Sequence, residues 1–164
     1  MSNHAGIDVG VSGAICIQND KGKILDLLDM PCIVSILGKT VKGNDKKKRD
    51  LDGPRIKDLL REWEVMHCFI EKAHVMPSDG KVGVGNYMMG YGILMGLCIG
   101  LEIPYTLVTS QSWKKKLMFG MGGDKGESII RAKQLFPELK LDRKRDHGQA
   151  DAVLIAEYGR QNLT

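Results

Sequence analysis

The stretch AGIDVGVSGAICIQND, Ala5 to Asp20, contains two short apolar runs separated by a glycine-bearing turn. Runs of this kind predict two strands joined by a tight turn. GKILDLLDMP, which follows, predicts a third strand, so we expect an antiparallel meander. Asp8 lies inside the first strand, where burying a carboxylate costs on the order of several kcal/mol unless it is paired or metal-bound. The alternative is a strand-end residue that reaches water.

A strand–helix–strand unit comes later in the chain. VMHCFIE predicts a buried strand ending on Glu71, Tyr87 to Leu101 predicts a helix, and IPYTLVTS predicts another buried strand. That order indicates a parallel crossover. We therefore expect an α/β fold: a mixed five-stranded sheet, an antiparallel meander plus parallel strands, flanked by helices. Residues 1–164 are long enough for one such domain.

The remaining segments predict a hairpin or loop and several helices. Val34 to Asp52 is polar and rich in lysine, which indicates an extended hairpin or a mobile loop. Pro54 opens a helix. A short helix surrounds Trp113, GESIIRAKQLFP forms another, and a last helix runs from His147 to Arg160.

Composition and local patterns exclude several classes of protein. Hydrophobic residues are 43% and charged residues 27%, which is typical of a soluble globular protein. The four cysteines form no CxxC pair, so neither a zinc site nor a disulfide framework is indicated. The first residues lack a signal-peptide pattern, and we expect a cytoplasmic protein rather than one of an organelle matrix. The apolar run from Tyr87 to Leu101 is shorter than the roughly 20 residues of a membrane span, so we expect a core helix and no membrane partner.

Basic residues are clustered although the net charge is only +4. The clusters are KKKR (Lys46 to Arg49), KKK (Lys114 to Lys116) and DRKR (Asp142 to Arg145). Each alone is typical of a solvated loop, whereas a shared face would bind nucleic acid.

The carboxylates suggest a metal site. Asp151 lies in a helix whose neighbouring positions are apolar, with Asp146 and His147 about one turn earlier. Asp146 alone is most simply interpreted as the helix cap. If these groups converge with Asp8 and Glu71, their repulsion requires divalent cations, and oxygen ligands favour Mg²⁺ or Mn²⁺. Such a cluster is typical of phosphodiester hydrolysis by two ions about 3.5–4 Å apart.

Five ordered motifs carry a family resemblance: GIDVGVSGA, FIEKAHVMPSDG, IPYTLVTSQSWKKKL, KGESIIRAKQLFPEL and DHGQADAVLIAEYGR. Together they resemble the RuvC-type Holliday junction resolvases, especially the phage- and organelle-associated branch, over Gly6 to Gly159. The resemblance implies an RNase H-like fold and a homodimer. It also implies Mg²⁺-dependent nicking of four-way DNA junctions at two symmetric points, with two ions per site and Mn²⁺ as a substitute.

The resemblance also implies roles for individual residues. The metal-binding carboxylates would be Asp8, Glu71 and Asp151. Bacterial members have an acidic residue or His three positions before the last of these, where this chain has Gly148. The fourth role would then fall to Asp146 or His147.

Two lysines and one loop match positions that contact DNA in the family. Lys114 and Lys125 would lie near the scissile phosphate, where an ammonium stabilises developing negative charge. Alternatively, Lys114 is one of three equivalent surface lysines and Lys125 an ordinary residue before a helix. His74 or Met76 could wedge the junction open, or their loop packs on its own domain. The expected DNA-binding residues are His74, Met76, Lys46, Lys47, Lys48, Arg49, Lys114, Lys115 and Lys116.

Other functions remain as alternatives. A nuclease of the same fold could cut forks, flaps or other branched DNA, and a non-catalytic module could bind junctions without cutting. Retention of the carboxylates disfavours the second, because acidic residues weaken phosphate binding unless metals offset them. A sugar-kinase or ATPase lobe would need a second, similar lobe.

Gly92, Gly96 and Gly100 clear one helix face, either for packing on the sheet or for a dimer.

Overall fold

The computed structural model describes residues 2–121, 126–143 and 145–162. Their helices and strands, in chain order, are β1 Asn3–Asp8, β2 Ala14–Asn19, β3 Ile24–Asp29, β4 Cys32–Lys39, β5 Asp45–Leu51, α1 Gly53–Glu62, β6 Val65–Glu71, α2 Lys81–Gly100, β7 Tyr105–Val108, α3 Ser110–Leu117, α4 Glu127–Leu135 and α5 His147–Arg160.

A five-stranded mixed sheet forms the centre, in the order β3-β2-β1-β6-β7. Strands β1, β2 and β3 pair antiparallel, as the meander predicts. Strands β1 and β6, and β6 and β7, pair parallel. The predicted fold class is confirmed, including the crossover from β6 through α2 to β7.

Alternation along β1 separates the two faces of the sheet. Ala5 and Ile7 pack with α1 and α2, where Leu59 and Leu94 are buried. On the opposite face α5 lies directly on β1. A Cβ atom on Gly6 would overlap the α5 backbone, so glycine permits this close approach. Asp8 follows Gly6 by two residues and therefore faces α5.

Helix α2 differs from its prediction in extent and in burial. It begins at Lys81, six residues before the expected start, and within it only Gly90, Tyr91, Leu94 and Cys98 are buried. Within the described ranges it is the one helix long and apolar enough to span a membrane by length and composition, and 22% of that window is buried. The expected core helix is therefore buried along one stripe only. A helix on a sheet covers one face, and no described segment covers the other.

The Lys-rich segment forms the hairpin alternative. Strands β4 and β5 pair antiparallel as a separate two-stranded sheet. Its apolar residues on β4, including Ile36 at 64% exposure, are open to solvent. Leu51 at the end of β5 is buried against Gly90 of α2 and ties the hairpin to the domain.

Candidate active site

Two carboxylates lie side by side at one edge of the central sheet. Asp8 ends β1 and Glu71 ends β6, and these strands are parallel neighbours, with Ile7 opposite Ile70. Because the carboxyl ends of parallel strands meet at one edge of a sheet, the two side chains lie close together. They share a hydrogen bond. Asp151 reaches the same place from the second turn of α5.

The surroundings of the cluster oppose ionisation of all three carboxylates. Burial raises the pKa of Asp8 to about 8, with further contributions from the charges of Asp151 and Glu71. Burial also raises the pKa of Glu71 and the pKa of Asp151. Like charges in a poorly hydrated place disfavour ionisation. Without a cation the cluster therefore retains a proton at neutral pH.

The donor set fits a hard divalent cation. Asp151 Oδ1 is buried and has no hydrogen-bond partner among the described residues. The Ser128 hydroxyl hydrogen-bonds the Asp151 carboxylate and opposes the rise of its pKa. A buried orphaned oxygen beside two further carboxylates matches the oxygen coordination of Mg²⁺ or Mn²⁺.

The carboxylates do not form a closed metal cage. In the part of the chain that the structure describes, no group of three or more His, Cys, Asp or Glu side chains lies close enough together to hold a metal ion. Two hydrogen bonds occupy carboxylate oxygens that a cation would otherwise bind. One joins Asp8 and Glu71, and the other is donated by Trp113 Nε1 to Glu71 Oε1 at 3.2 Å. Trp113 is fully buried, so the indole fixes the position of Glu71.

Lys114 is the member of the KKK cluster that faces the carboxylates. Its charge lowers the pKa of Asp8, Glu71 and Asp151 against the larger effect of burial. Its Nζ lies 5.1 Å from the centre of the Trp113 ring.

The other two lysines of the cluster differ from Lys114. Lys116 Nζ lies 3.3 Å from Asn162 Oδ1 and 5.5 Å from the centre of the Tyr158 ring. Lys115 is exposed. The three lysines are therefore not equivalent. Lys125, the other predicted functional lysine, lies outside the described residues.

Asp146 has a different partner from those expected. Its carboxylate, 1% exposed, accepts hydrogen bonds from Arg143 N at 2.8 Å and Arg143 Nε at 2.6 Å. It makes no capping bond to α5, so the cap interpretation is wrong. The backbone conformation of Asp146 turns its side chain back toward Arg143, which satisfies both carboxylate oxygens.

His147 and Gly148 lie closer to the cluster. The charge of His147 lowers the pKa of Asp151 against the effect of burial. A Cβ atom on Gly148 would lie 3.2 Å from Asp8 Oδ2 and 2.7 Å from the Ser12 carbonyl oxygen. The position three before Asp151 therefore adjoins the site, but the backbone leaves little room there for a side chain.

Sequence reasoning missed three residues of the site. Tyr87 lies near the carboxylates: burial raises its pKa to about 12, and the charges of Glu71 and Asp8 add to the rise. Trp113 and Ser128 hydrogen-bond Glu71 and Asp151. All three occur in predicted helices. Which face of each helix points to the carboxylates becomes clear only when the helices are packed on the sheet, so the sequence pattern alone does not indicate these residues.

The expected DNA-contacting residues lie on exposed segments. His74 Nε2 is 3.0 Å from Met76 Sδ, so these residues of the loop after Glu71 contact each other. A cavity of about 370 Å³ lies between this loop and the start of α2, lined by His74 and Tyr87 among others. Lys46, Lys47 and Arg49 are exposed on β5, and Lys48 is half-buried.

Comparison with solved structures identifies the architecture. RuvC of Thermus thermophilus superposes with a TM-score of 0.57 at 13% identity, covering 98% of this chain and 96% of that one. The chain has the RuvC fold. A second match, T. thermophilus RuvC in complex with a Holliday junction substrate, has a TM-score of 0.58 at 12% identity and covers 95% of this chain and 91% of that one.

Sequence comparison finds a curated relative. The chain is 31% identical over 97 residues to the chloroplastic Holliday junction resolvase MOC1 of Chlamydomonas reinhardtii. The match covers 57% of this chain and 11% of the relative's length. No protein-family model matches the chain. The resemblance predicted from the five motifs is confirmed by both comparisons.

Proposed function

We propose that this protein is an endodeoxyribonuclease that resolves four-way DNA junctions by hydrolysing phosphodiester bonds. The observation that carries the proposal is the meeting of Asp8, Glu71 and Asp151 within the RuvC fold, with a buried Asp151 oxygen left unpaired among the described residues. The MOC1 relative and the junction-bound RuvC support a junction as the substrate.

The three carboxylates would hold Mg²⁺ or Mn²⁺, two ions per site. When bound, such ions supply an activated water and stabilise the charge on the leaving oxygen. Trp113 and Ser128 orient Glu71 and Asp151 by hydrogen bonding.

Basic residues complete the proposed site. Lys114 places an ammonium where a phosphoryl oxygen gains charge. His147 would take the fourth role beside the three carboxylates, because the Asp146 carboxylate is bound to Arg143. The family resemblance also gives Lys125, which lies outside the described residues, a role near the scissile phosphate.

We propose that α2 mediates a homodimer. Its uncovered face exposes Val82 at 79%, Met89 at 46% and Ile99 at 66%, on a helix with no charged residue after Lys81. An apolar face of this length is typical of a subunit interface. Two sites in a symmetric dimer would nick a junction at two symmetric points. The protein would act in the cytoplasm, with no membrane partner.

The loop after Glu71 and the hairpin are proposed to contact the DNA. Met76 is 50% exposed and could enter the junction centre together with His74. Basic residues of β5 and α3 would contact phosphates, namely Lys46, Lys47, Lys48, Arg49, Lys115 and Lys116.

Cleavage of defined DNA structures tests the proposal. A mobile four-way junction, a fork and a linear duplex are incubated with the protein, with Mg²⁺ or EDTA, and nicks are mapped on every strand. Paired symmetric nicks in the junction alone are expected. Equal cutting of the fork would indicate a broader branched-DNA nuclease, and binding without cutting a junction-binding module.

Two variants separate catalysis from folding. Asp151→Asn is expected to abolish cleavage and retain junction binding. Asp58→Asn, which removes an exposed carboxylate of α1, is the matched control and should cut normally. Unfolding of Asp151→Asn would instead give Asp151 a structural role.

A further inference from the structure

A small cavity lies beside the carboxylates, between the β1–β2 turn, strand β5 and the start of α5. Its volume is about 200 Å³, and its lining includes Ser12, Gly13, Asp29, Arg49, Arg145 and His147. It shares a wall with the candidate active site, because Gly148 packs against both the Ser12 carbonyl oxygen and Asp8 Oδ2.

The cavity is positively charged. Its one acid, Asp29, accepts two hydrogen bonds from the Arg143 guanidinium, from Nη1 at 3.1 Å and from Nη2 at 3.0 Å. Gln149 Nε2 donates another at 2.8 Å. Arg143 is shared between Asp29 and Asp146, so these three groups carry one net negative charge, and together with Arg49 and Arg145 the surroundings of the cavity keep one net positive charge.

Both remaining guanidiniums keep donors for a ligand. Arg145 Nη2 lies 3.9 Å from Asp29, beyond hydrogen-bond distance, and the side chain is 72% exposed. Arg49 Nη2 lies 3.6 Å from Cys32 Sγ, a weak acceptor. A guanidinium group with unused N–H donors binds a phosphate through two parallel hydrogen bonds to its oxygens.

Size restricts the ligand. The volume of the cavity is below the roughly 300–1,000 Å³ typical of pockets for drug-sized molecules, which favours a small ligand. One phosphate group fits the volume and the charge.

We propose that this cavity binds a backbone phosphate of the strand that is cut, next to the scissile phosphate. In the sheet order β3-β2-β1-β6-β7, Asp29 of β3 and the β1–β2 turn lie on one side of Asp8, and Lys114 follows β7 on the other. Arg49 and Arg145 thus hold the strand on one side of the carboxylates and Lys114 on the opposite side. This assignment rests on the proposed function.

Neutral phosphates test the assignment. Single methylphosphonates, which carry no charge, are placed one at a time around the nick of a four-way junction. Cleavage rates are measured for the wild type, for Arg49→Gln and Arg145→Gln, and for Arg55→Gln as the control. Arg55 is an exposed arginine on α1 with an acid 3.9 Å away, so it matches the lost charge.

At one methylphosphonate position, the slowing caused by the neutral phosphate and the slowing caused by the arginine substitution should not add. There the neutral phosphate should slow the wild type and Arg55→Gln by about tenfold, the effect of losing a charged hydrogen bond. Arg49→Gln and Arg145→Gln should be slow on the unmodified junction and no slower on the modified one. Equal further slowing of all proteins at every position would overturn the subsite while leaving the nuclease intact.

Binding measurements distinguish failure of the subsite from failure of the proposed function. The same substrates are titrated in EDTA and complex formation is measured. Non-additive binding without any cleavage would support the subsite and overturn the nuclease. No binding of the junction by the wild type would overturn both.

Discussion

Replacing Asp8 with asparagine should stabilise the folded protein when divalent cations are removed, although it abolishes cleavage. The reason is the carboxylate cluster, in which burial and the charges of Asp151 and Glu71 oppose ionisation of Asp8. Asparagine is neutral and keeps a donor for the hydrogen bond with Glu71. The proposed cation site is thus unfavourable without cations.

The magnitude follows from the pKa of Asp8. It is about 8 in the folded protein and 3.8 as the ordinary value. A raised folded pKa stabilises the fold below pH 3.8, and that contribution is lost as the pH rises toward 8. Between 3.8 and pH 7.5 lie 3.7 pH units at about 1.4 kcal/mol each, so the limit is roughly 5 kcal/mol. We expect about 1–3 kcal/mol, since an amide replaces the acid imperfectly.

Urea unfolding in EDTA measures the effect. The free energy of unfolding is compared for wild type, Asp8→Asn and the exposed control Asp58→Asn at pH 4 and pH 7.5. The advantage of Asp8→Asn should be small at pH 4 and large at pH 7.5, and Asp58→Asn should show no such change. An advantage that is absent, or independent of pH, refutes the reasoning.

Added Mg²⁺ provides a second comparison. A ligand that binds only the folded state raises the unfolding midpoint. Mg²⁺ should therefore stabilise the wild type and act far less on Asp8→Asn. Equal stabilisation of both proteins would place the cation elsewhere.

Three further outcomes are expected. Lys114→Ala should slow junction cleavage at least about tenfold more than Lys116→Ala, since only the former loses a charge beside the carboxylates; equal rates would show general phosphate binding. Arg143→Ala should lower the unfolding free energy in a urea titration, because Asp146 is left buried without its partner; no loss would mean that this carboxylate is rehydrated. Burial lowers the pKa of His4, so the wild type should lose stability as the pH falls below 6.5, and His4→Gln should lose less between pH 7.5 and pH 5.

The sheet could be predicted because its signals are local. Apolar runs bounded by glycine specify β1 to β3, and Asp8 and Glu71 stand out as carboxylates that end buried strands. The parallel pairing of β1 with β6 then brings these residues together without any further information. Helix α5 was predicted with its observed bounds, His147–Arg160, because its apolar residues follow a helical period.

Other features depend on long-range contacts and could not be predicted in this way. Helix α2 is apolar almost all round, and its composition does not tell which face meets the sheet. Tyr87 on that helix reaches the carboxylates only because α2 crosses over the ends of β1 and β6. Asp146 has a partner three residues away, but Arg143 is held in turn by Asp29, 114 residues distant.

The charged start of α5 therefore contains groups with different tasks. Arg143 joins Asp29 on β3 to Asp146, which fixes the residues before α5 against the sheet. Asp151 lies one turn further along the helix, where α5 packs directly on β1 close to Gly6. This packing places Asp151 beside Asp8, and the ion pairs of Arg143 add a second attachment at the start of the helix. Both attachments oppose the mutual repulsion of the carboxylates in the cluster.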